Sequence, residues 1–255
     1  MYKDPSKYAI VRPVPNSYAK CVRRNKERID VALARKQHKR YCDAIRELGL
    51  ELIWIQRADN LPDSCFVEDT AVVIGEKAVI CNMKVKSRAE EVTKVANAMK
   101  GLRDTHFIKP PATIDGGDVL TIENKVFVGI TSRTNMYAAN QLKNIVKNTG
   151  FEIIPVKIST VLHLKSACTY LGNKTVVLSK GHFNIDCLQG LRRILVPKDE
   201  EYAADCLAIN GKVIVAEDYP KTKRLVEKHG YEVRTLDISE FRKCEGALTC
   251  LSIIV

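Results

Sequence analysis

Cys206-Leu207-Ala208-Ile209-Asn210-Gly211-Lys212-Val213-Ile214-Val215 is two apolar runs joined by Asn-Gly. Asn-Gly between such runs is the strongest short-range signal for a β-hairpin. The same layout occurs three more times upstream. Ala71-Val72-Val73-Ile74 turns through Gly75-Glu76-Lys77 into Ala78-Val79-Ile80. Val119-Leu120-Thr121-Ile122 turns through Glu123-Asn124-Lys125 into Val126-Phe127-Val128, and Thr169-Tyr170-Leu171 turns through Gly172-Asn173-Lys174 into Thr175-Val176-Val177-Leu178. Each hairpin precedes a segment with helical features, at about 88–100, 134–148, 182–191 and 219–229. In the second of these, Thr134 and Asn135 offer N-caps, Ala138, Leu142, Ile145 and Val146 form a stripe, and Gly150 is a stop signal. A further short strand follows each helix, at 106–108, 151–156, 193–196 and 231–236. The unit is strand, strand, helix, strand, repeating about every 40–50 residues.

A fifth unit assembles from both ends of the chain. The last residues, Leu248-Thr249-Cys250-Leu251-Ser252-Ile253-Ile254-Val255, are too apolar for a frayed terminus. They read as a strand pairing with Tyr8-Ala9-Ile10-Val11, completed by a helix near 31–48 and a strand at 50–55. Closing a ring in this way protects the strand edges of the terminal unit. The sequence therefore predicts one domain, residues 1–255, folded as an α/β five-bladed propeller of ββαβ repeats with pseudo-five-fold symmetry. Strands lie inside and helices outside. An ordinary α/β sandwich leaves the regular spacing unexplained. The charged stretch 14–29 has no period and reads as a loop, a lid over one end.

Composition excludes several classes. The chain is 45% apolar and 28% charged, an ordinary globular balance. Its nine cysteines show no Cys-x-x-Cys pair, which argues against a zinc ribbon or disulfide framework and for reduced thiols in the cytoplasm. Met1 to Ser6 contains no apolar signal core, and no run reaches membrane-spanning length. The net charge is +11, but the basic residues are dispersed without aromatic interleaving, so no nucleic-acid partner is expected.

In a ring of repeats, the segments leading into equivalent strands meet at the axis. Here those segments are 61–69, 113–118, 162–166, 203–205 and 245–250, and they carry carboxylates, a histidine and a thiol. Polar groups there cost stability unless they are paired or used. Cys250 is the candidate nucleophile, since a thiolate attacks carbon readily once activated. Of five histidines, only His163 sits inside such an apolar segment, and it is the candidate acid and base. His38, His106, His182 and His229 read as solvated. Asp115 is the candidate orienting carboxylate, with Gly116-Gly117 letting the backbone turn tightly beside it. Asp63, Glu68, Asp69 and Asp118 leave the site rich in acid, which suits a cationic guanidinium. Arg88 and Arg133 are candidates for holding a substrate carboxylate. The plainer readings also stand: a buried structural cysteine, a core histidine, an Asx-turn at Asp115, and solvated helix-start arginines.

Leu61-Pro62-Asp63-Ser64-Cys65-Phe66-Val67-Glu68-Asp69, Asp115-Gly116-Gly117-Asp118-Val119, Ser132-Arg133-Thr134-Asn135, Leu162-His163-Leu164-Lys165-Ser166 and Leu248-Thr249-Cys250 together resemble the dimethylarginine dimethylaminohydrolase family. That family lies within the guanidino-modifying, or pentein, superfamily. The resemblance covers essentially the whole chain. It implies the five-fold propeller, no cofactor and no essential metal. It implies hydrolysis of Nω-methylated arginines to citrulline and a methylamine. By position it makes Cys250 the nucleophile, His163 the acid and base, and Asp115 its orienter. Asp63, Glu68 and Asp69 would bind the guanidinium and α-amino groups, Arg88 and Arg133 the α-carboxylate, and the Glu245 backbone the amino end. Cys81-Asn82-Met83-Lys84 departs from the family pattern ahead of Arg88, and 14–29 does not match closely. The expected partner is a small guanidino compound acting on a monomer or homodimer. Arginine deimination or a related guanidine hydrolysis, amidino transfer to an amine, and a non-catalytic, RNA- or ribosome-binding propeller are the competing readings. Cys250 and His163 have the donor chemistry to take up zinc, which would inhibit by occupying the sulfur.

Overall fold

All four predicted hairpins form, and each becomes two strands of a three-stranded sheet. The computed structural model describes residues 7–255. The hexapeptide read above for a targeting signal lies outside the described residues. In the unit that opened the sequence analysis, Leu207–Ile209 pairs antiparallel with Lys212–Ala216 in the register Leu207↔Ile214 and Ile209↔Lys212. Asn210 and Gly211 both take positive φ, 49° and 79°, as a tight hairpin turn demands. Lys212–Ala216 then pairs in parallel with Glu232–Leu236, after a crossover through the helix Pro220–Lys228. Five such sheets form, each with one antiparallel and one parallel pairing.

The fifth sheet joins the two ends of the chain. Ala9 pairs with Ile254 and Ile10 with Ile253, antiparallel, while Tyr8–Val11 runs parallel to Glu51–Trp54. The apolar tail is therefore a strand of the closing blade, with Ile253 and Val255 both buried. The helix Val31–Glu47 completes this blade, and Asp30 caps it by accepting from the Ala32 and Leu33 N–H groups.

The helices depart from expectation in three places. The segment near 88–100 is split into a 3₁₀ turn, Lys86–Glu91, and an α-helix, Val92–Met99. The predicted helix at 182–191 is only a 3₁₀ turn, Ile185–Leu188. Asn184 caps its start and the positive-φ Gly190 follows it, leaving too few residues for two α-turns. In Met136–Ile145, Asn135 is the N-cap, whereas the Thr134 hydroxyl turns inward and donates to Asp118.

Apolar side chains fill the spaces between blades and beneath the helices. The largest cluster joins Tyr18, Tyr41, Ile45, Phe66, Ile214 and Phe241 across three blades. His38, expected to be solvated, is buried in this neighbourhood, and burial pushes its pKa down to about 4. It lies on the inner face of Val31–Glu47, a face the helix must bury.

The thiols are not all reduced. Cys21 and Cys244 form a disulfide across 223 residues of sequence. Each is a single cysteine in its own segment, so no local spacing announced the pair; ring closure brings them together. The bond ties the loop 14–29 to the stretch just before Glu245.

The paired glycines form the expected tight turn, the 3₁₀ turn Gly116–Asp118, but not through a left-handed backbone. Neither Gly116 nor Gly117 takes positive φ. A Cβ on Gly116 would lie 2.0 Å from the Glu68 carbonyl oxygen, and one on Gly117 would lie 2.6 Å from His163 Nδ1. They are glycines because two chain segments pass too close to the axis for any side chain. Gly116→Ala should therefore destabilise the fold by about 2 kcal/mol or more, as overpacking against backbone does. A thermal melt unchanged from wild type would show that the blades can separate there at no cost.

Candidate active site

Five chain segments reach the axis, and four of them do so as 3₁₀ turns: Val67–Thr70, Gly116–Asp118, Lys198–Ala204 and Thr249–Leu251. The fifth is the turn at 163–167, closed by hydrogen bonds from Ser166 N–H to the His163 carbonyl and from Ala167 N–H to the Leu164 carbonyl. A 3₁₀ turn rotates about 120° per residue, so adjacent side chains leave in different directions. Glu68 and Asp69 use that rotation. Glu68 turns to the axis, where Oε1 accepts from Lys165 Nζ at 2.7 Å and Oε2 from the Thr249 hydroxyl at 2.8 Å. Asp69 turns to the histidine.

His163 is held between two carboxylates. Its Nε2 lies 3.2 Å from Asp115 Oδ2, and its Nδ1 lies 3.8 Å from Asp69 Oδ1. All three residues are buried. Burial alone would favour neutral imidazole. The negative charge of Asp69, the hydrogen bond to Asp115 and the charge of Asp118 outweigh it and lift the pKa to about 9. In the reverse direction, burial opposes the Asp69 charge, but His163 and Arg88 overcome it and hold that carboxyl at about 2. Asp118 fixes the backbone beside the histidine. Its Oδ1 accepts from Leu164 N–H at 3.0 Å, and its Oδ2 from the Thr131 and Thr134 hydroxyls at 2.8 and 2.6 Å. Burial raises its pKa to about 6.

Cys250 sits in the Thr249–Leu251 turn, and its Sγ accepts from Ala247 N–H at 3.4 Å. Burial, then the charges of Asp205, Glu68 and Asp69, push the thiol well above its ordinary range. Asp69 is thus the carboxylate whose charge acts on both the Cys250 thiol and the His163 imidazole.

The arginines divide. Arg88 is buried and committed to the protein. Its Nε and Nη2 donate to Glu91, Nη1 donates to Asp69 at 2.7 Å, and Nη2 also reaches the Phe66 carbonyl. Expected as a carboxylate clamp, it is instead the strut that fixes Asp69. A buried guanidinium needs that many acceptors. Arg133 is partly exposed; its Nη1 reaches Asp115 at 3.5 Å, and its charge also acts on Asp63.

The remaining acids meet the lid. Asp63 is buried, which raises its pKa, and both its oxygens accept from Val22 N–H at 3.0 and 3.2 Å. Glu245 has φ of 58°, and its carboxylate lies 4.0 Å from Arg24 of the lid. A cavity of about 330 Å³ opens here, lined by Arg24, Leu162, Asp205, Glu245 and Ala247 among others.

Sequence reasoning passed over Lys165, Thr249 and Asp205 as working residues, and counted Asp118 only among the site's acids. Their repeat-equivalent positions were the available signal. Among the described residues, Asp69, Asp115 and His163 form the one group of three with metal-capable donors within 4.8 Å of one another. Their electrostatics favour a proton on the imidazole, which competes directly with a metal ion for that nitrogen.

The chain was compared with known proteins. Residues 8–226 match the sequence family described as N,N dimethylarginine dimethylhydrolase, eukaryotic. The N(G),N(G)-dimethylarginine dimethylaminohydrolase of Streptomyces coelicolor is 37% identical over 98% of this chain and 97% of its own. The enzyme of the same name from Pseudomonas aeruginosa is 29% identical over 88% of this chain and 89% of its own. Among solved structures, a histidine-to-glycine variant of a dimethylarginine dimethylaminohydrolase, as its adduct with S-methyl-L-thiocitrulline, superposes with a TM-score of 0.95. It shares 27% identity, covering 98% of this chain and 100% of that one. A cysteine-to-serine variant of the Pseudomonas aeruginosa enzyme, complexed with citrulline, superposes at 0.94 with 26% identity, covering 99% and 100%. The five three-stranded sheets are those of the pentein fold. This chain belongs to the dimethylarginine dimethylaminohydrolase family.

Proposed function

We propose that this chain hydrolyses Nω-methylated L-arginines, dimethylarginine and monomethylarginine, to L-citrulline and the corresponding methylamine. The observation that carries this reading is the imidazole of His163 between Asp69 and Asp115, with Asp69 also acting on the Cys250 thiol. Family membership and the citrulline and thiocitrulline complexes of the relatives support it.

The chemistry follows from the charge states. A guanidinium entering among Asp63, Asp69 and the thiol offsets the acids that hold the sulfur protonated. The thiol then loses its proton to solvent, and the thiolate attacks the guanidinium carbon. The His163 imidazolium donates its proton to the methylated nitrogen as the C–N bond breaks, leaving a thiouronium cation on Cys250. The buried acids stabilise that cation. Neutral His163 then takes a proton from water as the oxygen attacks the same carbon. The C–S bond breaks, and citrulline leaves. One water is consumed and one amine released.

Arg133 pairs with the α-carboxylate, because it is partly exposed and bidentate geometry suits a carboxylate. The backbone near Glu245 meets the α-amino end beneath the stapled lid. Glu68 serves as the floor of the site through Lys165 and Thr249 rather than touching the guanidinium. Residues 1–255 act as one domain. Among the described residues, no helix is long and apolar enough to cross a membrane.

Cys250→Ser should abolish citrulline and dimethylamine formation from dimethylarginine. Ammonia released from arginine, with no dimethylamine from its methylated form, would reassign the substrate; turnover by the serine variant would remove Cys250 from the chemistry.

The His163 imidazole should titrate near 9 by NMR, and Asp69→Asn should lower that midpoint. Its folded pKa lies above the ordinary 6.5, so the cation's contribution to stability is full below about 6.5 and is lost as pH rises through about 9. A midpoint at or below the ordinary value would mean that the two carboxylates do not act on it.

Arg133→Ala should raise KM about tenfold or more and leave kcat within about threefold, as loss of a binding contact does. A purely kcat effect would place Arg133 in the chemical step.

A further inference from the structure

Asp205 is the one acid at the axis to which the reaction gives no task. It is fully within the protein, 3% exposed, at the end of the Lys198–Ala204 turn. Its neighbour is the residue preceding the nucleophile. Thr249 N–H donates to Asp205 Oδ1 at 3.3 Å, and Thr249 Oγ1 lies 3.4 Å from Asp205 Oδ2. The same hydroxyl lies 2.8 Å from Glu68 Oε2. A hydroxyl carries one proton, and the shorter contact to Glu68 takes it. The contact to Asp205 is then a hydrogen bond only if Asp205 supplies the proton. Charge gives the same answer. Lys165 pairs with Glu68 at 2.7 Å, and a second buried carboxylate at the same hydroxyl would have to share that one cation.

We infer that Asp205 is a positioning residue for the hydrolysis proposed above: a neutral carboxylic acid that grips Thr249 by its N–H and its hydroxyl and thereby sets the Cys250 turn. One edge of a carboxylic acid presents both a donor and an acceptor, which matches what Thr249 offers. The grip continues through Thr249 to Glu68 and Lys165, so three of the five axial segments are locked to the one bearing the sulfur.

The groups facing Asp205 are Tyr202 and Cys206 on its own segment, Glu68 from the Val67–Thr70 turn, Lys165 from the 163–167 turn, and Cys250. Arg24, His182, Glu201, Arg242 and Glu245 line the cavity with it. Burial and then the Glu68 charge raise its pKa to about 8. Ionisation above that pH breaks the donor contact and adds negative charge beside the sulfur.

The inference rests on Cys250 as nucleophile, and the test separates the two. Wild type, Asp205→Ala, Asp205→Asn and Cys250→Ser would be assayed with dimethylarginine for kcat and KM across pH 6–10. Asn keeps a donor and an acceptor on the same edge but cannot ionise. Asp205→Ala should lower kcat about tenfold or more with KM within about threefold, and Asp205→Asn should restore kcat to within about threefold of wild type. Wild type should also lose kcat as pH rises past about 8, with the Asn variant holding its rate to higher pH. Thermal melts of each variant identify a loss due to unfolding, and the pH comparison needs only the wild type and the Asn variant. Superimposable pH profiles, or an Asn variant as slow as the Ala variant, would overturn the assignment even with Cys250→Ser inactive. Turnover by Cys250→Ser would instead overturn the reading beneath it.

Discussion

A ring of blades has no hydrophobic core at its centre, and this constraint governs the rest of the structure. Five segments converge on the axis with backbone and side-chain groups that water cannot fully satisfy, so they must satisfy one another. The solution here is a closed set of contacts. Lys165 pairs with Glu68, Glu68 accepts from Thr249, Thr249 is gripped by Asp205, and Arg88 fixes Asp69. Breaking one partner strands another in a dry environment, where an unpaired charge is far more costly than in water.

The catalytic electrostatics are a by-product of the same packing. Asp69 cannot approach His163 unless Gly117 is bare, and Glu68 cannot reach the floor unless Gly116 is. Once those segments meet, the histidine has an acid on each side and its pKa is raised, while burial and the charges of Asp205, Glu68 and Asp69 outweigh the Ala247 N–H and push the Cys250 thiol up. A site held this way is rich in negative charge, which favours a cationic ligand such as a guanidinium. The disulfide from Cys21 to Cys244 and the Val22–Asp63 contact hold the loop 14–29 against that site.

Some of this was legible in the sequence. The hairpins could be read because turn chemistry and strand alternation are local, as at Asn210-Gly211, and because the pattern repeated. The closing blade followed from Ile253-Ile254-Val255 being too apolar to fray. The segments bearing Asp69, Asp115, His163 and Cys250 could be found from their shared place in the repeat. The helix expected at 182–191 failed for a local reason: Asn184 and Gly190 bracket too short a span. His38 was misread because the buried face of Val31–Glu47 depends on which blade it covers.

The sequence by itself determined the repeat, the strand pairs within each unit and which segments reach the axis, since each depends on residues near one another or on equivalent positions. Only the tertiary structure decided the tasks within the site. Glu68 and Asp69 are adjacent and chemically alike, yet one braces the floor and the other charges the histidine, because a 3₁₀ turn points them apart. Arg88 and Arg133 both follow hairpins, yet only one is surrounded by acceptors. The Cys21–Cys244 bond joins residues with no relation in sequence. For the two acids and the disulfide the deciding quantity is the distance to a segment from another blade, which closure of the ring sets; Arg88 instead finds Phe66, Asp69 and Glu91 within its own unit.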